Sequence, residues 1–196
     1  IYKEYIIMIK KHYYSWRHVE KMCIDIAMQM QKDNWKPDYI VGITRGGNVP
    51  ATILSNMLDV RCEALKVSLR DDEVGPESNC WMSEDAFGYV SEEERVTTKS
   101  RWDVAKRKKI LVVDDINDTG ATFNWIKEDW AASCFPNEES WNTVWNGELA
   151  NVRFATLTEN LSSNFDSVRY TAHEINKAEE DVWLVYPWEI VGTYDA

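Results

Sequence analysis

Several features are scarce in this sequence, and each scarcity excludes a class of protein. No apolar run approaches the roughly eighteen residues that a membrane-spanning helix needs. The four cysteines lie far apart without a C-x-x-C pair, and with only three histidines they do not predict a structural zinc site. No basic and apolar signal sequence opens the chain. We therefore expect a cytoplasmic protein whose cysteines are free thiols.

Positive charge is also scarce, since 22 Lys and Arg residues stand against 33 Asp and Glu residues. The resulting net charge of -11 opposes non-specific binding to nucleic acid, which depends on neutralising phosphates with basic side chains. A local basic cleft for a small polyphosphate is compatible with this average, because a cleft can differ from the net field. The 196 residues, of which 44% are hydrophobic, predict one ordinary globular domain.

The first part of the chain alternates between helical and strand patterns. Ser15 can cap a helix that ends before Asn34, and Pro37 prevents the helix from continuing. A buried strand is predicted over residues 39–43, and Pro50 suits the first turn of a second helix. The apolar faces of the two helices are predicted to comprise, respectively, Trp16, Val19, Cys23, Ile26 and Met30, and Ile53, Leu54, Met57 and Leu58.

The second part continues the alternation. The predicted elements are strands over residues 62–67, 109–113, 152–157 and 168–173, and a helix over 122–132 with Phe123, Ile126 and Trp130 on one side. Strands that alternate with helices predict an α/β fold with a mainly parallel sheet and helices on both faces. The polar stretch of about residues 70–108 interrupts this pattern. We expect it to be functional or mobile, with a hairpin within residues 90–104.

Two adjacent carboxylates, Asp114 and Asp115, follow directly after the strand residues Ile-Leu-Val-Val. In open parallel sheets, ligands bind beyond the carboxyl ends of the strands. Two adjacent carboxylates are expensive to bring together unless a cation or hydroxyl donors lie between them. The vicinal hydroxyls of a ribose and a hydrated magnesium ion are groups of this kind.

The next residues, 118–122, run from a third acid into the start of a helix. Free backbone N–H groups, the hydroxyls of Thr119 and Thr122, and the close approach that Gly120 allows are typical of a phosphate site. An acidic turn that caps a helix without any ligand would explain the acid pair alone. The complete order of strand, acid pair, third acid and hydroxyl-rich helix start favours a sugar-phosphate site.

Residues 112–122 resemble the motif that binds 5-phosphoribosyl pyrophosphate (PRPP) in the type I phosphoribosyltransferases. The resemblance implies that Asp114 and Asp115 hold the ribose hydroxyls, with Asp115 also the magnesium ligand. Asp118 stands where purine-specific members place a general acid/base facing N7 of the base. A carboxylate that takes or shares the base proton makes the attacking ring nitrogen more nucleophilic. The residues implied to wrap the 5-phosphate are Thr119, Gly120, Ala121 and Thr122.

Residues 40–47 resemble the pyrophosphate loop of the same family. By this resemblance Arg45 is a second catalytic residue. Together with Thr44 and Gly46 it would bind the leaving diphosphate, because a guanidinium group matches phosphate oxygens. The family pattern also leads us to expect a cis peptide bond between Thr44 and Arg45.

The segments 14–16, 44–50 and 183–189 are most similar to the xanthine-guanine and hypoxanthine branch of the family. In that branch an aromatic ring at the position of Trp183 stacks on the purine, and backbone groups nearby, here at Leu184, read its 2-substituent. A core tryptophan is the alternative interpretation of Trp183.

One residue departs from the pattern of this branch. In 6-oxopurine enzymes a lysine that hydrogen-bonds the 6-oxo group follows the strand, and here Asn160 occupies its place. The amide of Asn160 can donate to an oxo group or accept from an amino group. Guanine, xanthine and hypoxanthine are the predicted bases, and the choice of base stays open.

The resemblance implies the type I phosphoribosyltransferase fold over a single domain of residues 1–196. A flexible catalytic loop is implied at about residues 70–108. Ser68 and Arg70 are candidate contacts of the diphosphate. A small hood is implied from the N-terminal segment and about residues 158–196. Such a loop closes over PRPP and excludes water.

The segment 134–148 is unlike the compact members, and a dimer contact and an accessory lid are both open interpretations. The implied cofactor is Mg²⁺, and the implied partners are PRPP and a nucleobase rather than a membrane or a nucleic acid. A homo-oligomer, either a dimer or a tetramer, is also implied.

The predicted activity is transfer of the 5-phosphoribosyl group from PRPP to a purine base in purine salvage, giving a nucleoside 5′-monophosphate and pyrophosphate. One alternative is a phosphoribosyltransferase for adenine or a pyrimidine. A second is a non-catalytic regulator with the same fold that senses PRPP or nucleotides and binds RNA, which would not require Asp118. A third is an unrelated magnesium phosphatase, which would not require a phosphate site directly after its acids.

Overall fold

The computed structural model describes residues 10–69, 77–78, 86–91, 93, 103–134, 142–147 and 150–190. The strands are β1 (Lys10–Tyr13), β2 (Tyr39–Thr44), β3 (Arg61–Ser68), β4 (Glu77–Ser78), β5 (Ile110–Asn117), β6 (Val152–Asn160), β7 (Val168–Ile175) and β8 (Val182–Val185). The helices are α1 (Trp16–Lys32), α2 (Asn48–Leu58), α3 (Ala121–Cys134) and α4 (Asn142–Trp145). None of the helices in these ranges has the length and apolarity needed to span a membrane.

The main sheet has six strands in the order β4-β3-β2-β5-β6-β7. Strands β3, β2, β5, β6 and β7 run parallel, and only β4 pairs antiparallel to its neighbour. The chain proceeds from β2 outward to β3 and later from β5 outward to β7, so the strand order reverses between β2 and β5. This reversal is the kind of position at which open α/β sheets bind ligands, and the predicted α/β fold class is confirmed.

Side chains of β5 alternate between the two faces of the sheet, as a pleated strand requires. Leu111 and Val113 pack in one buried cluster with α1 and α2, whereas Ile110 and Val112 pack in a second cluster with α3. All four side chains are fully buried. The strand is therefore apolar on both faces, which explains its continuous hydrophobic run.

Helix α1 begins as predicted at Ser15, whose hydroxyl accepts a hydrogen bond from the His18 backbone N–H. The His18 ring accepts one in return from the Ser15 backbone N–H, which completes a reciprocal cap. The prediction that Trp16 and Met57 face the core is wrong, because their side chains are 54% and 42% exposed. The Trp16 ring instead lies 6.0 Å from the ring of Trp188, near the helix start.

The strands β1 and β8 form a separate two-stranded parallel sheet that the sequence pattern did not predict. Each has four residues, too few for the period-two alternation to be recognised. Strands β5 and β6 also continue beyond their predicted ends, to Asn117 and Asn160. Most of the predicted hairpin within 90–104 and the predicted contact Arg70 lie outside the described residues.

Replacing Ser15 by Ala removes the hydroxyl acceptor at the start of α1. We expect a loss of about 1 kcal/mol of unfolding free energy, which lowers the melting temperature by roughly 2–4 °C for a chain of this size. Thermal unfolding followed by circular dichroism measures this change. The exposed Glu20→Ala change in the same helix is the control and should stay within about 0.5 kcal/mol of the wild type. An unchanged melting temperature for Ser15→Ala would contradict the capping role.

Candidate functional site

The carboxyl ends of β2 and β5 meet at the reversal of strand order, and two glycines bring them into contact. A Cβ atom added at Gly46 would lie 1.8 Å from Oδ2 of Asp115. One added at Gly47 would lie 2.4 Å from the carbonyl oxygen of Val113 and 2.8 Å from the Cα atom of Asp114. Only glycine fits at these two positions without displacing the acid pair. The two motifs that the sequence separates by about 70 residues therefore form one surface.

The loop that follows β2 has the cis peptide bond predicted between Thr44 and Arg45. Both side chains are exposed at the end of the strand. Arg45 is thus free of the sheet and lies next to the glycine that contacts Asp115. This placement gives a guanidinium group access to an anionic ligand above the acid pair.

Burial raises the pKa of both carboxyl groups of the acid pair. The pKa of Asp114 is well above its usual range because the group is desolvated and lies beside Asp115. The pKa of Asp115 rises to about 6, mainly through burial and partly through the nearby carboxylate of Glu189. Each carboxylate accepts one backbone N–H, from Asp115 and Ile116 respectively, at 2.9 Å. These bonds offset only part of the cost, so the pair is suited to a ligand that carries positive charge or hydroxyl donors.

A magnesium ion fits this donor set if most of its ligands come from elsewhere. Within the described ranges, no group of three or more His, Cys, Asp or Glu side chains is arranged to hold a metal ion. Mg²⁺ usually retains several waters and is bound by one or two carboxylates together with substrate phosphates. Asp114 and Asp115 can supply these one or two carboxylates. The described residues do not form a metal site built from protein side chains alone.

The predicted phosphate-binding residues 119–122 lie at the start of α3, where first-turn backbone N–H groups have no partner within the helix. Gly120 has a φ of +85°, and a Cβ atom there would lie 2.5 Å from the backbone N of Phe165. The Thr119 carbonyl accepts a hydrogen bond from the Asn164 backbone N–H at 3.1 Å. The loop after β6 therefore supports the turn that precedes the helix.

Asn117 belongs to the recognised motif, but the sequence assigned no role to it. Its buried amide nitrogen donates to Oε1 of Glu159 and to the carbonyl oxygen of Phe165, each at 2.9 Å. Its amide oxygen accepts from the Ser163 hydroxyl at 3.1 Å. Asn117 thus attaches the loop after β6 to the end of β5.

Tyr186 is a second residue that sequence reasoning missed. Its buried hydroxyl donates to the Asp115 carbonyl oxygen at 2.9 Å and lies 2.9 Å from the Thr158 hydroxyl. Its ring stacks on those of Tyr14 and Trp188, at 5.1 and 4.8 Å between centroids. Tyr186 therefore connects the residues next to β8 with the acid pair. A tyrosine two residues before an aromatic is too common a pattern to have indicated this role.

Asp118 follows the acid pair in the chain, and it contacts Asn160 at the end of β6 and Lys177 in the loop before β8. The amide nitrogen of Asn160 donates to the Asp118 carbonyl oxygen at 2.8 Å. Nζ of Lys177 donates to Oδ2 of Asp118 at 2.9 Å. The structure thus brings Asn160 and Lys177 to Asp118, and the sequence had not indicated the lysine.

The predicted base-binding residues of β8 differ in their surroundings. Trp183 is 55% exposed, so the alternative of a core tryptophan is wrong. Leu184 is buried in the cluster that includes residues of α1 and α2, so its side chain is not available to a ligand. Two further predicted segments are partly described. Ser68, a predicted diphosphate contact, is the last residue of β3. The described residues of the segment 134–148 include the short helix α4.

Comparisons with known proteins agree with this geometry. A family model described as the phosphoribosyl transferase domain matches residues 10–181. Xanthine phosphoribosyltransferase 1 of Saccharomyces cerevisiae is 23% identical over 205 residues, which cover 92% of this chain and 90% of that protein. Xanthine-guanine phosphoribosyltransferase of Cereibacter sphaeroides is 24% identical over 195 residues, which cover 98% of this chain and 95% of that protein.

Solved structures share the fold. The crystal structure of a purine phosphoribosyltransferase from Pyrococcus horikoshii Ot3 superposes with a TM-score of 0.61 at 20% identity. The superposition covers 92% of this chain and 94% of that chain. The parallel sheet with flanking helices is therefore an architecture known from solved proteins.

Replacing Asp114 by Asn removes one of two neighbouring, partly buried negative charges while keeping the oxygen that accepts the Asp115 N–H. A raised carboxyl pKa means that the folded protein retains protons that the unfolded chain has released, so the wild type loses stability as pH rises from about 4 through 6. We expect the variant to be more stable than the wild type by at least roughly 1 kcal/mol at pH 7. The difference should shrink towards pH 4.

Thermal unfolding between pH 4 and 7.5 in buffer with a metal chelator measures this difference. Asp181→Asn, at an exposed position before β8, is the control and should stay within about 0.5 kcal/mol of the wild type at each pH. A destabilised Asp114→Asn protein at neutral pH would show that the acid pair does not strain the unliganded fold.

Proposed function

The chain belongs to the phosphoribosyltransferase family, and we propose that it transfers the 5-phosphoribosyl group of PRPP to a purine base. The products are a nucleoside 5′-monophosphate and pyrophosphate, as in purine salvage. The observation that carries the proposal is the contact of Gly46 with Asp115, since it joins the candidate diphosphate loop to the candidate ribose site. The curated relatives named for xanthine and xanthine-guanine transfer support a purine as the acceptor.

In this proposal the acid pair holds the ribose. Asp114 and Asp115 accept hydrogen bonds from the two ribose hydroxyls, which add to the one backbone N–H that each carboxylate already accepts. Asp115 also holds Mg²⁺, whose other ligands come from PRPP and water. When bound with PRPP, the ion offsets the negative charge of the departing diphosphate. The carboxylates beneath the ring also face the positive charge that develops on the ribose as the bond to diphosphate breaks.

The two phosphate ends of PRPP bind at separate loops in this proposal. The backbone N–H groups and hydroxyls of residues 119–122 hold the 5-phosphate at the start of α3, where the helix dipole favours an anion. Arg45 donates to diphosphate oxygens, together with the backbone at Thr44 and Gly46. Holding both ends orients the reacting carbon of the ribose towards the base.

Asp118 is the proposed general acid/base for the acceptor. Its carboxylate takes or shares the proton on N7 of the purine while the ring nitrogen N9 attacks the ribose. The Trp183 ring, which is exposed on β8, is proposed to stack on the purine, and the backbone at Leu184 to read its 2-substituent. Asn160 contributes by holding Asp118 in place through its amide.

The proposal also includes the domain organisation, the location and the oligomeric state of the protein. In the proposal, the N-terminal segment and about residues 158–196 form the hood of a single domain, and the polar stretch of about residues 70–108 supplies the loop that closes over PRPP. A cytoplasmic location and a homo-oligomeric state, a dimer or a tetramer, belong to the proposal as well. The acidic composition, with a net charge of -11, disfavours the alternative of a regulator that binds RNA.

Release of pyrophosphate from PRPP and Mg²⁺ across a panel of bases tests the proposal. The panel comprises guanine, xanthine, hypoxanthine, adenine, uracil and orotate. We expect turnover with at least one of the first three and none with the pyrimidines. A pyrimidine as the only substrate would remove the purine assignment. Binding of PRPP without turnover of any base would instead support the non-catalytic regulator.

Replacing Asp118 by Asn tests the acid/base assignment. We expect kcat to fall by about a hundredfold or more, because a positioned general acid or base contributes on the order of 10²–10⁴ to the rate. KM for PRPP should change little, since Asp118 does not contact the ribose in this proposal. Asp181→Asn is the matched control, with the same charge removed at an exposed position outside the site. A variant at position 118 with full activity would exclude the proposed role.

A further inference from the structure

An ion pair between Lys177 and Asp118 is held in place by a buried asparagine. Lys177 lies in the loop between β7 and β8, and its Nζ donates to Oδ2 of Asp118 at 2.9 Å. Its backbone N–H donates to Oδ1 of Asn160 at 3.0 Å. The amide nitrogen of Asn160 donates in turn to the Asp118 carbonyl oxygen. One side chain thus positions both partners of the ion pair.

Asn160 has no remaining hydrogen-bonding capacity for a ligand. It is 4% exposed, and its oxygen accepts from the Ser162 N–H and hydroxyl as well as from Lys177. Its nitrogen donates to the Asp118 backbone and lies 3.4 Å from Oδ1 of the Asp118 side chain. The groups that remain available to a ligand at this position are those of Lys177 and Asp118.

These two groups are partly open to solvent, with side chains that are 21% and 43% exposed. Ion pairs at this level of exposure contribute little to stability, so the pair is not needed to hold the fold together. An ammonium group only donates hydrogen bonds and a carboxylate only accepts them. The pair therefore places a hydrogen-bond donor and an acceptor 2.9 Å apart, both partly accessible to solvent.

A 6-oxopurine carries the complementary pair of groups on one edge. Its O6 atom accepts a hydrogen bond, and N7 lies beside it. When the free base carries its proton on N7, Asp118 accepts from that N–H while Lys177 donates to O6. Adenine instead carries an amino group at C6, which is a donor and would face the donor of Lys177.

We infer that Lys177 is a specificity-determining residue that selects 6-oxopurines over 6-aminopurines. The inference rests on the proposed transferase function and narrows its acceptor. Lys177 contacts O6 of the base, Asp118 exchanges the proton at N7, and Asn160 positions both.

Kinetics of a Lys177→Met variant with hypoxanthine, guanine and adenine test the inference. We expect kcat/KM for the two 6-oxopurines to fall about tenfold to a hundredfold, the loss typical of one hydrogen bond to a charged group. KM for PRPP should stay within about twofold, and the ratio of kcat/KM for hypoxanthine to that for adenine should fall at least about tenfold. Lys177→Arg keeps a cationic donor and should restore part of the ratio.

The matched control is Lys10→Met. Lys10 forms an exposed ion pair with Glu180, in the same loop as Lys177, with Nζ and Oε1 2.8 Å apart. Its replacement removes a lysine that contacts this loop without touching Asp118. We expect unchanged base preference for this variant. Melting temperatures of the Lys177 and Lys10 variants should lie within about 2–4 °C of the wild type, because exposed ion pairs contribute roughly 0–1 kcal/mol.

The outcomes separate this inference from the proposed function. If the wild type releases pyrophosphate with none of the bases tested, both the proposed function and this inference are wrong. A wild type that uses adenine alone retains the transferase but overturns the role of Lys177. If Lys177→Met lowers kcat/KM equally for all bases, or raises KM for PRPP in parallel, the lysine is a structural contact of the loop and the inference is wrong.

Discussion

The site depends on the desolvation of Asp114 and Asp115, which lie side by side near the carboxyl end of β5 in the middle of the sheet. Burial raises the pKa of both groups, and two neighbouring backbone N–H groups donate hydrogen bonds to the pair. The loop after β2 lies directly against them because Gly46 and Gly47 have no side chains. The unliganded protein therefore bears an electrostatic cost that a hydroxyl-rich or cationic ligand relieves. Stability and ligand binding are opposed at this position, as is common at functional sites.

Two buried asparagines connect the end of β5 to the loops around it through hydrogen bonds. Asn117 holds the loop after β6, which supports Gly120 at the start of α3. Asn160 holds Asp118 and the loop before β8. Both side chains use donor and acceptor groups together, so each links two segments in a defined geometry. Buried polar networks whose members are all satisfied specify a structure in this way. Tyr186 adds a third link, from β8 to the backbone of Asp115.

Most of the main sheet and its helices could be predicted because their patterns are local. The apolar run before Asp114, the capping Ser15 and the face of α3 with Phe123, Ile126 and Trp130 are buried or placed as expected. The strands β1 and β8 could not be predicted, since each is stabilised by pairing with a segment more than 160 residues away. The positions of Trp16 and Met57 differ for a related reason. Periodicity marks an apolar face but not how far the neighbouring elements cover it.

The sequence by itself determined the order of chemical groups in the candidate site, because the strand, the acid pair, Asp118 and the helix start at residues 119–122 are consecutive. Their relative geometry follows from short-range backbone structure. Only the tertiary structure decided what surrounds them. Gly46 meets Asp115 because β2 and β5 are neighbours in the sheet. Lys177 reaches Asp118 across 59 residues because the end of β7 lies beside the end of β6. Such contacts depend on strand order and register, which no local pattern encodes.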